Sequence, residues 1–241
     1  MGYMVSSVSM VPLGLVVSFY LAFMSVCMGC HISFIWGLTM VVIMLLIWLV
    51  EDGVQESLMD ISLNTMSAIK MAVLMFIFSE FMFFLSMLST ALYMVGSGWQ
   101  DAWISVDFYG TPMLISAVLL TSGVTMTYAH SHMSLGGSGL LGMLMTVILG
   151  FVFLIIQYLE WEDNGFSLMT GFGGSLFYMM TGFHGLHVLM GVLMNFYLLV
   201  VLCSVVTGLL APVKMEGVIW YWHFVDVVWL FVYLGLYWYC M

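Results

Sequence analysis

The last apolar segment of the chain contains two residues that membrane helices rarely carry, His223 and Asp226. An acid near the centre of a membrane helix costs about 2.5 to 3.5 kcal/mol on insertion scales, so Asp226 is expected to have a hydrogen-bond partner or a functional role. The two residues are three apart, which places them on one face of a helix, where a hydrogen bond between them would lower the cost of burial. His223 and Asp226 are therefore predicted to interact.

Glu80 is a second costly acid, in an earlier apolar segment. It lies ten residues beyond Lys70, which is about 15 Å along a helix and so near the middle of a membrane. One interpretation is a carboxylate that exchanges protons, and the other is a structural acid packed against a neighbouring helix. The spacing alone leaves both open.

His184 and His187 lie three residues apart in the segment TGFHGLHVLMG (181–191). Two imidazoles on one helical face suggest a metal or haem ligand pair, but such a site would be incomplete without ligands from other segments. Hydrogen bonding between helices is the favoured interpretation. Gly182, Gly185 and Gly191 support it, because small residues let membrane helices approach closely.

The composition places the whole chain in a membrane. Of its 241 residues, 64% are hydrophobic and 6% are charged, against about 25% charged in soluble domains. Twelve acidic residues against two lysines give a net charge of −10, which argues against binding to nucleic acid. The first ten residues contain no lysine or arginine, so no cleaved signal peptide is expected there.

Apolar runs of about 20 residues predict seven membrane-spanning helices in a single membrane domain, 1–241. The run 164–213 has room for one or two spans, and one span keeps the loops with Lys70 and Lys214 on the same side, as the positive-inside tendency favours. Aromatic residues near the ends of the last span, Trp220, Trp222, Tyr237, Trp238 and Tyr239, are predicted to anchor it at the membrane interface. The predicted spans are 11–30, 33–50, 70–95, 111–130, 139–160, 174–206 and 218–240.

Several segments together resemble subunit III of cytochrome c oxidase, a member of the haem–copper oxidase subunit 3 family. The segment WYWHFVDVVWLFVY (220–233) is similar to the last helix of that family, and TGFHGLHVLMG to its sixth. Further similar positions are Ser79-Glu80 with Phe83-Phe84, SGVTMTYAH (122–130), Gln157 with Glu160, and Glu51-Asp52 with Gln55-Glu56-Ser57.

The resemblance implies an all-α integral membrane fold. In that family seven transmembrane helices form a bundle in which helices 1 and 2 are splayed from helices 3 to 7, leaving a V-shaped cleft filled with phospholipid.

The resemblance also implies a function. The chain is expected to be a non-catalytic core subunit of the proton-pumping oxidase, respiratory complex IV, in the mitochondrial inner membrane or, alternatively, a bacterial plasma membrane. It would stabilise the catalytic subunit and support proton uptake while O2 is reduced to water. No catalytic residue, metal or redox centre is expected in this chain, because haem a and copper belong to partner subunits. The expected partners are subunit I as the main contact, subunit II, supernumerary subunits and membrane lipids.

By resemblance, Glu80 matches a buried carboxylate beside the lipid cleft, Glu56 an acid near the lipid head group, and Lys70 a basic residue at the start of helix 3. These three residues and Gln55 are the candidates for the lipid cleft. His184, His187, His223 and Asp226 are then structural, with His223 and Asp226 locking the last helix.

The chain also departs from the family pattern. Gln55 replaces a lipid-binding arginine, which puts head-group affinity in question because a guanidinium suits phosphate better. Ser62-Leu63 stands about where the family has a histidine pair, Ser131 separates His130 from His132, and the loop 96–110 is short.

Three other functions compete with this interpretation. The nearest is the equivalent subunit of a quinol oxidase, which shares the fold. A stand-alone proton or solute transporter would use Glu80 and Asp226 as relay groups, but the chain lacks paired inverted halves. A membrane cytochrome would bind haem through His184 or His187.

Overall fold

The computed structural model describes residues 10–29, 31–58, 63–96, 109–203 and 212–238, with side chains left undescribed at parts of several helix ends. Within these ranges all the regular secondary structure is helical, in seven α-helices and one π-helical segment, which confirms the predicted all-α class. The described part does not include the side chains of Gln55 and Glu56. It also leaves out Ser62, residues 97–108 of the loop and Tyr239 entirely.

The helices divide between two compact units, 1–61 and 62–241. The first unit holds α1 (Val11–Cys27) and α2 (His31–Leu58), which pack against each other. Gly29, with φ +67°, lies between them and donates its N–H to the Val26 carbonyl at 3.1 Å. A Cβ at Gly37 would come within 2.8 Å of Ala22, so the glycine permits this close packing.

The second unit holds the other five helices. Helices α4 and α5 pack together, as do α5 and α6, and α7 packs against α3, α4 and α6. A π-helical segment, Tyr233–Trp238, follows α7 directly. The bounds are α3 Leu63–Gly96, α4 Thr111–Ser134, α5 Leu140–Asp163, α6 Gly171–Cys203 and α7 Pro212–Val232.

Helix α7 forms the centre of the second unit's core. The largest fully buried side chains include Trp222, Trp229 and Tyr237 from α7 and its π-helical extension, with Phe153 of α5 and Phe177 of α6 around them. The side chain of Trp222 fits because two facing helices carry glycine beside it. A Cβ at Gly191 would lie 2.7 Å, and one at Gly150 2.9 Å, from the indole ring.

In the described part, five helices are long and apolar enough to cross a membrane, judged by length and composition. Helix α1 and the described apolar part of α2 are shorter. The predicted splay of the first two helices from the other five, and the single domain, stay predictions. The five segments are Ser67–Met94, Thr111–Ser134, Leu140–Asp163, Gly171–Cys203 and Met215–Trp238.

Candidate functional site

Glu80 on α3 and His187 on α6 form a hydrogen-bonded pair. Their side chains are partly buried, and 2.9 Å separates Glu80 Oε2 from His187 Nε2. Sequence spacing indicated that each residue mattered, but not that they meet, because 107 positions separate them in the chain. The pair gives the costly intramembrane acid the hydrogen-bond partner that burial requires.

The contact made by the other nitrogen of the His187 ring shows where one proton of this pair lies. His187 Nδ1 lies 2.7 Å from the Phe183 carbonyl oxygen one turn earlier. A carbonyl oxygen only accepts hydrogen bonds, so Nδ1 carries a proton and donates it. In a neutral ring Nε2 is then an acceptor, and the carboxyl must donate to it. The alternative is an imidazolium that donates to a carboxylate, so one proton lies in the Glu80–His187 bond in either form.

Aromatic rings surround this hydrogen bond. The ring centroid of Phe84 lies 5.0 Å from that of His187. The Tyr221 ring of α7 lies 6.5 Å away, and its hydroxyl donates to the His187 carbonyl oxygen at 3.3 Å. In such apolar surroundings a hydrogen bond between a carboxyl and an imidazole is stronger than it would be in water.

His184 faces a different helix from His187. Its Nε2 lies 3.3 Å from the Val225 carbonyl of α7, and its ring lies 4.8 Å from that of Trp229 and 5.6 Å from that of Phe153. The two imidazoles therefore do not converge on one point. Across the described ranges, no three His, Cys, Asp or Glu residues are grouped so that they could hold a metal ion.

His223 and Asp226 lie close together but do not form the predicted hydrogen bond. His223 Nδ1 is 4.0 Å from Asp226 Oδ2, which is beyond hydrogen-bond range. Asp226 is only 6% exposed, and its Oδ1 has no partner in the part of the chain that the structure describes. Its other oxygen, Oδ2, packs so closely on Gly123 of α4 that a Cβ there would collide with it. Spacing placed the two residues on one face, but rotamers and packing against α4 set the distance.

The aromatic residues of α7 are not all interface anchors. Trp222 is 0% and Tyr237 1% exposed, so the prediction is wrong for both. The two buried indoles of α7 donate to serine hydroxyls of α4: Trp222 Nε1 to Ser122 Oγ at 3.2 Å, and Trp229 Nε1 to Ser116 Oγ at 2.9 Å. The seven-residue spacing of the two tryptophans, which places both on one helical face, was the signal for this shared burial.

Lys70 forms an ion pair inside the second unit. Its Nζ lies 2.6 Å from Glu216 Oε2 of α7, and both side chains are partly exposed. The family resemblance makes Lys70 a candidate residue of the lipid cleft, and the sequence analysis does not identify Glu216. An ammonium group has three donors, so the ion pair leaves the lipid prediction open.

Glu160 was also missed as a site residue. It is buried at the end of α5 and accepts a hydrogen bond of 2.8 Å from the Tyr237 hydroxyl. Because Glu160 precedes a charged loop, its position is typical of the polar end of a membrane span. Gln157, three residues earlier, could have indicated the site, because it places a second polar side chain on the same helical face.

The chain is similar in sequence to proteins of one family. A family model described as Cytochrome c oxidase subunit III matches residues 3–241. Cytochrome c oxidase subunit 3 of Gallus gallus is 32% identical over 216 residues, covering 83% of this chain and 81% of the relative. The protein of the same name from Drosophila yakuba is 39% identical over 184 residues, covering 70% and 69%. That of Mycosarcoma maydis is 35% identical over 217 residues, covering 84% and 78%. The chain belongs to the cytochrome c oxidase subunit III family.

Proposed function

We propose that this chain is a non-catalytic subunit of a proton-pumping cytochrome c oxidase in the mitochondrial inner membrane. It supports the catalytic subunit I, contacts subunit II and supernumerary subunits, and binds membrane phospholipid. Haem a and copper are held by the partner subunits and supply the oxygen chemistry there. Family membership and five helices long enough to cross a membrane support this proposal.

The Glu80–His187 hydrogen bond is the observation that carries a proton-linked role. The pair has no net charge whether the proton lies on the carboxyl or on the imidazole. It can therefore change the position of that proton without placing an unpaired charge in a low-dielectric surrounding, which would be costly. Glu80 acts in this proposal as the proton-holding carboxylate, with His187 as its partner.

His184, His223 and Asp226 hold α7 in place in this proposal. Support comes from the buried contact of His184 with the Val225 carbonyl and from the packing of Asp226 on Gly123. Lys70 binds the phosphate of a lipid head group with the donors that Glu216 leaves free.

Complex membership is tested by purifying the chain from its native membrane under mild detergent. We expect haem a and copper to co-purify with it in partner subunits, and the complex to oxidise cytochrome c. A chain that runs alone, or that binds haem itself, would contradict the proposal, and a complex that oxidises only quinol would assign it to the quinol oxidases.

The role of Glu80 is tested with Glu80→Gln in the purified oxidase. The glutamine amide can still donate to His187 Nε2, so assembly should persist, while the movable proton is lost. We expect altered turnover or faster inactivation during turnover. Glu162→Gln, which makes the same substitution at an exposed site, is the matched control. Unchanged turnover together with an unchanged inactivation rate would refute the role.

A further inference from the structure

The carboxyl-terminal end of α5 buries polar atoms that have no hydrogen-bond partner among the described residues. Gln157 is 2% and Glu160 4% exposed. By distance and angle, both polar atoms of the Gln157 amide and Oε2 of Glu160 lack a hydrogen-bond partner in the described residues, as do Trp161 Nε1 and Asn164 Nδ2, although the Gln157 side chain lies near enough to the Tyr237 hydroxyl to interact with it. A buried polar atom left without a partner is costly, and few native side chains remain so.

These four residues share one side of the chain. Positions 157, 160 and 161 follow the spacing that places side chains on one helical face, and Asn164 comes directly after the helix. Two tyrosines cover this face. Tyr237 donates to Glu160 Oε1 at 2.8 Å, and the Tyr178 hydroxyl lies 3.1 Å from the carbonyl oxygen of Trp161.

The covering residue Tyr237 belongs to the π-helical segment that follows α7. π-helices are rare, and single π-helical turns are frequent at functional sites. Here the Tyr237 hydroxyl donates to one oxygen of the buried Glu160 carboxyl, and the other oxygen has no donor in the part of the chain that the structure describes.

The chemistry of the five atoms identifies the ligand. Gln157 Nε2, Trp161 Nε1 and Asn164 Nδ2 are donors, which disfavour a cation, whereas Gln157 Oε1 and Glu160 Oε2 are acceptors, which disfavour an anion. Water both donates and accepts, and buried waters in proteins typically make about three such bonds.

The buried group lies next to exposed charged residues. Glu162 and Asp163 are exposed in the last turn of α5, directly beside the buried group. We propose that the carboxyl-terminal end of α5 is a binding site for ordered water molecules that bridge the Gln157 amide and the Glu160 carboxyl beneath Tyr237.

The test is a cryo-electron microscopy map of the assembled oxidase at a resolution that shows ordered water. We expect at least one density within hydrogen-bond distance of Glu160 Oε2 and of the Gln157 amide. In Gln157→Leu this density should disappear, because the bridging partner is gone. Tyr178→Phe is the matched control, since that hydroxyl bonds backbone oxygens and none of the five atoms, and its density should remain.

Three results would overturn the proposal. The first is a Gln157 amide bonded directly to Glu160 or Tyr237 with no density between them. The second is an ion or a lipid head group at this position, and the third is a density that persists unchanged in Gln157→Leu. The map of the unmodified complex decides the first two even if the variant does not assemble.

Discussion

Glu80 Oε2 and His187 Nε2 lie 2.9 Å apart, joined by a hydrogen bond that holds one proton. The Phe183 carbonyl fixes the imidazole from its other nitrogen, so the ring cannot change tautomer without breaking that contact. The bond connects α3 to α6. Tyr221 of α7 donates its hydroxyl to the backbone carbonyl of His187, which connects α7 to the same residue. One partly buried pair therefore contributes both to helix packing and to the proposed proton chemistry.

The stabilities of two Glu80 variants show how much the hydrogen bond of this pair contributes to the fold. Glu80→Leu leaves His187 Nε2 without a partner and should destabilise the fold by about 1–3 kcal/mol. Glu80→Gln retains a donor and should cost less than about 1 kcal/mol. Thermal unfolding of the subunit in the purified complex measures both. Equal losses for the two variants would show that the hydrogen bond adds nothing to stability.

The glycines of α6 should differ in their tolerance of alanine. At Gly191 a Cβ would lie 2.7 Å from Trp222, which is fully buried and cannot move away. Overpacking of this kind costs about 1–3 kcal/mol. At Gly185 no atom lies within 4 Å of the added Cβ.

Gly191→Ala should therefore lower the unfolding temperature of the subunit, whereas Gly185→Ala on the same helix should leave it unchanged or raise it slightly. Equal effects at the two positions would argue against the packing around Trp222. The sequence predicted close helix approach at both glycines, and the structure supports it for Gly191 only.

The contact between Asp226 and Gly123 should appear as coupling between two substitutions. Gly123→Ala alone brings a methyl group into the carboxylate, so we expect a loss of about 1–3 kcal/mol. In the background of Asp226→Ala the same change should cost much less, because the obstructing oxygen is gone. Additive losses in a double-mutant cycle of unfolding free energies would contradict the contact.

Sequence patterns predicted the helices well because long apolar runs in a membrane protein leave few other structures possible. The candidate residues Glu80, His184, His187 and Asp226 were found by the cost of burying them. Their partners were not found. A partner such as Val225 or Phe183 is a backbone carbonyl, which no side-chain pattern reveals, and the pairing of Glu80 with His187 depends on which helices are neighbours.

The directions in which side chains point explain the wrong predictions. Trp222 and Tyr237 were placed at a membrane interface because aromatic residues at the ends of a span favour that position. Helix α7 instead packs against α3, α4 and α6, and the π-helical segment that carries Tyr237 packs against α3 and α4, so both side chains turn into the core. The distance between His223 and Asp226 likewise depends on rotamers that residue spacing does not determine.

The hydrogen bond from Trp229 to Ser116 tests how much such core contacts contribute. The indole nitrogen of α7 lies 2.9 Å from the hydroxyl oxygen of α4, and both groups are buried. Ser116→Ala removes the acceptor and leaves a buried N–H without a partner, which should cost about 1–3 kcal/mol. Ser131→Ala, on the exposed face of α4, removes only a hydroxyl bonded within its own helix and should change stability little.

Trp229→Phe removes the donor from the other side, and it should destabilise more because the indole also fills the core beside His184 and Phe153. In the double variant the serine change should lose most of its effect, since no N–H remains to be left without a partner. The coupling energy from unfolding of all four forms in the purified oxidase checks this. A coupling energy near zero would mean that the indole and the hydroxyl do not depend on each other.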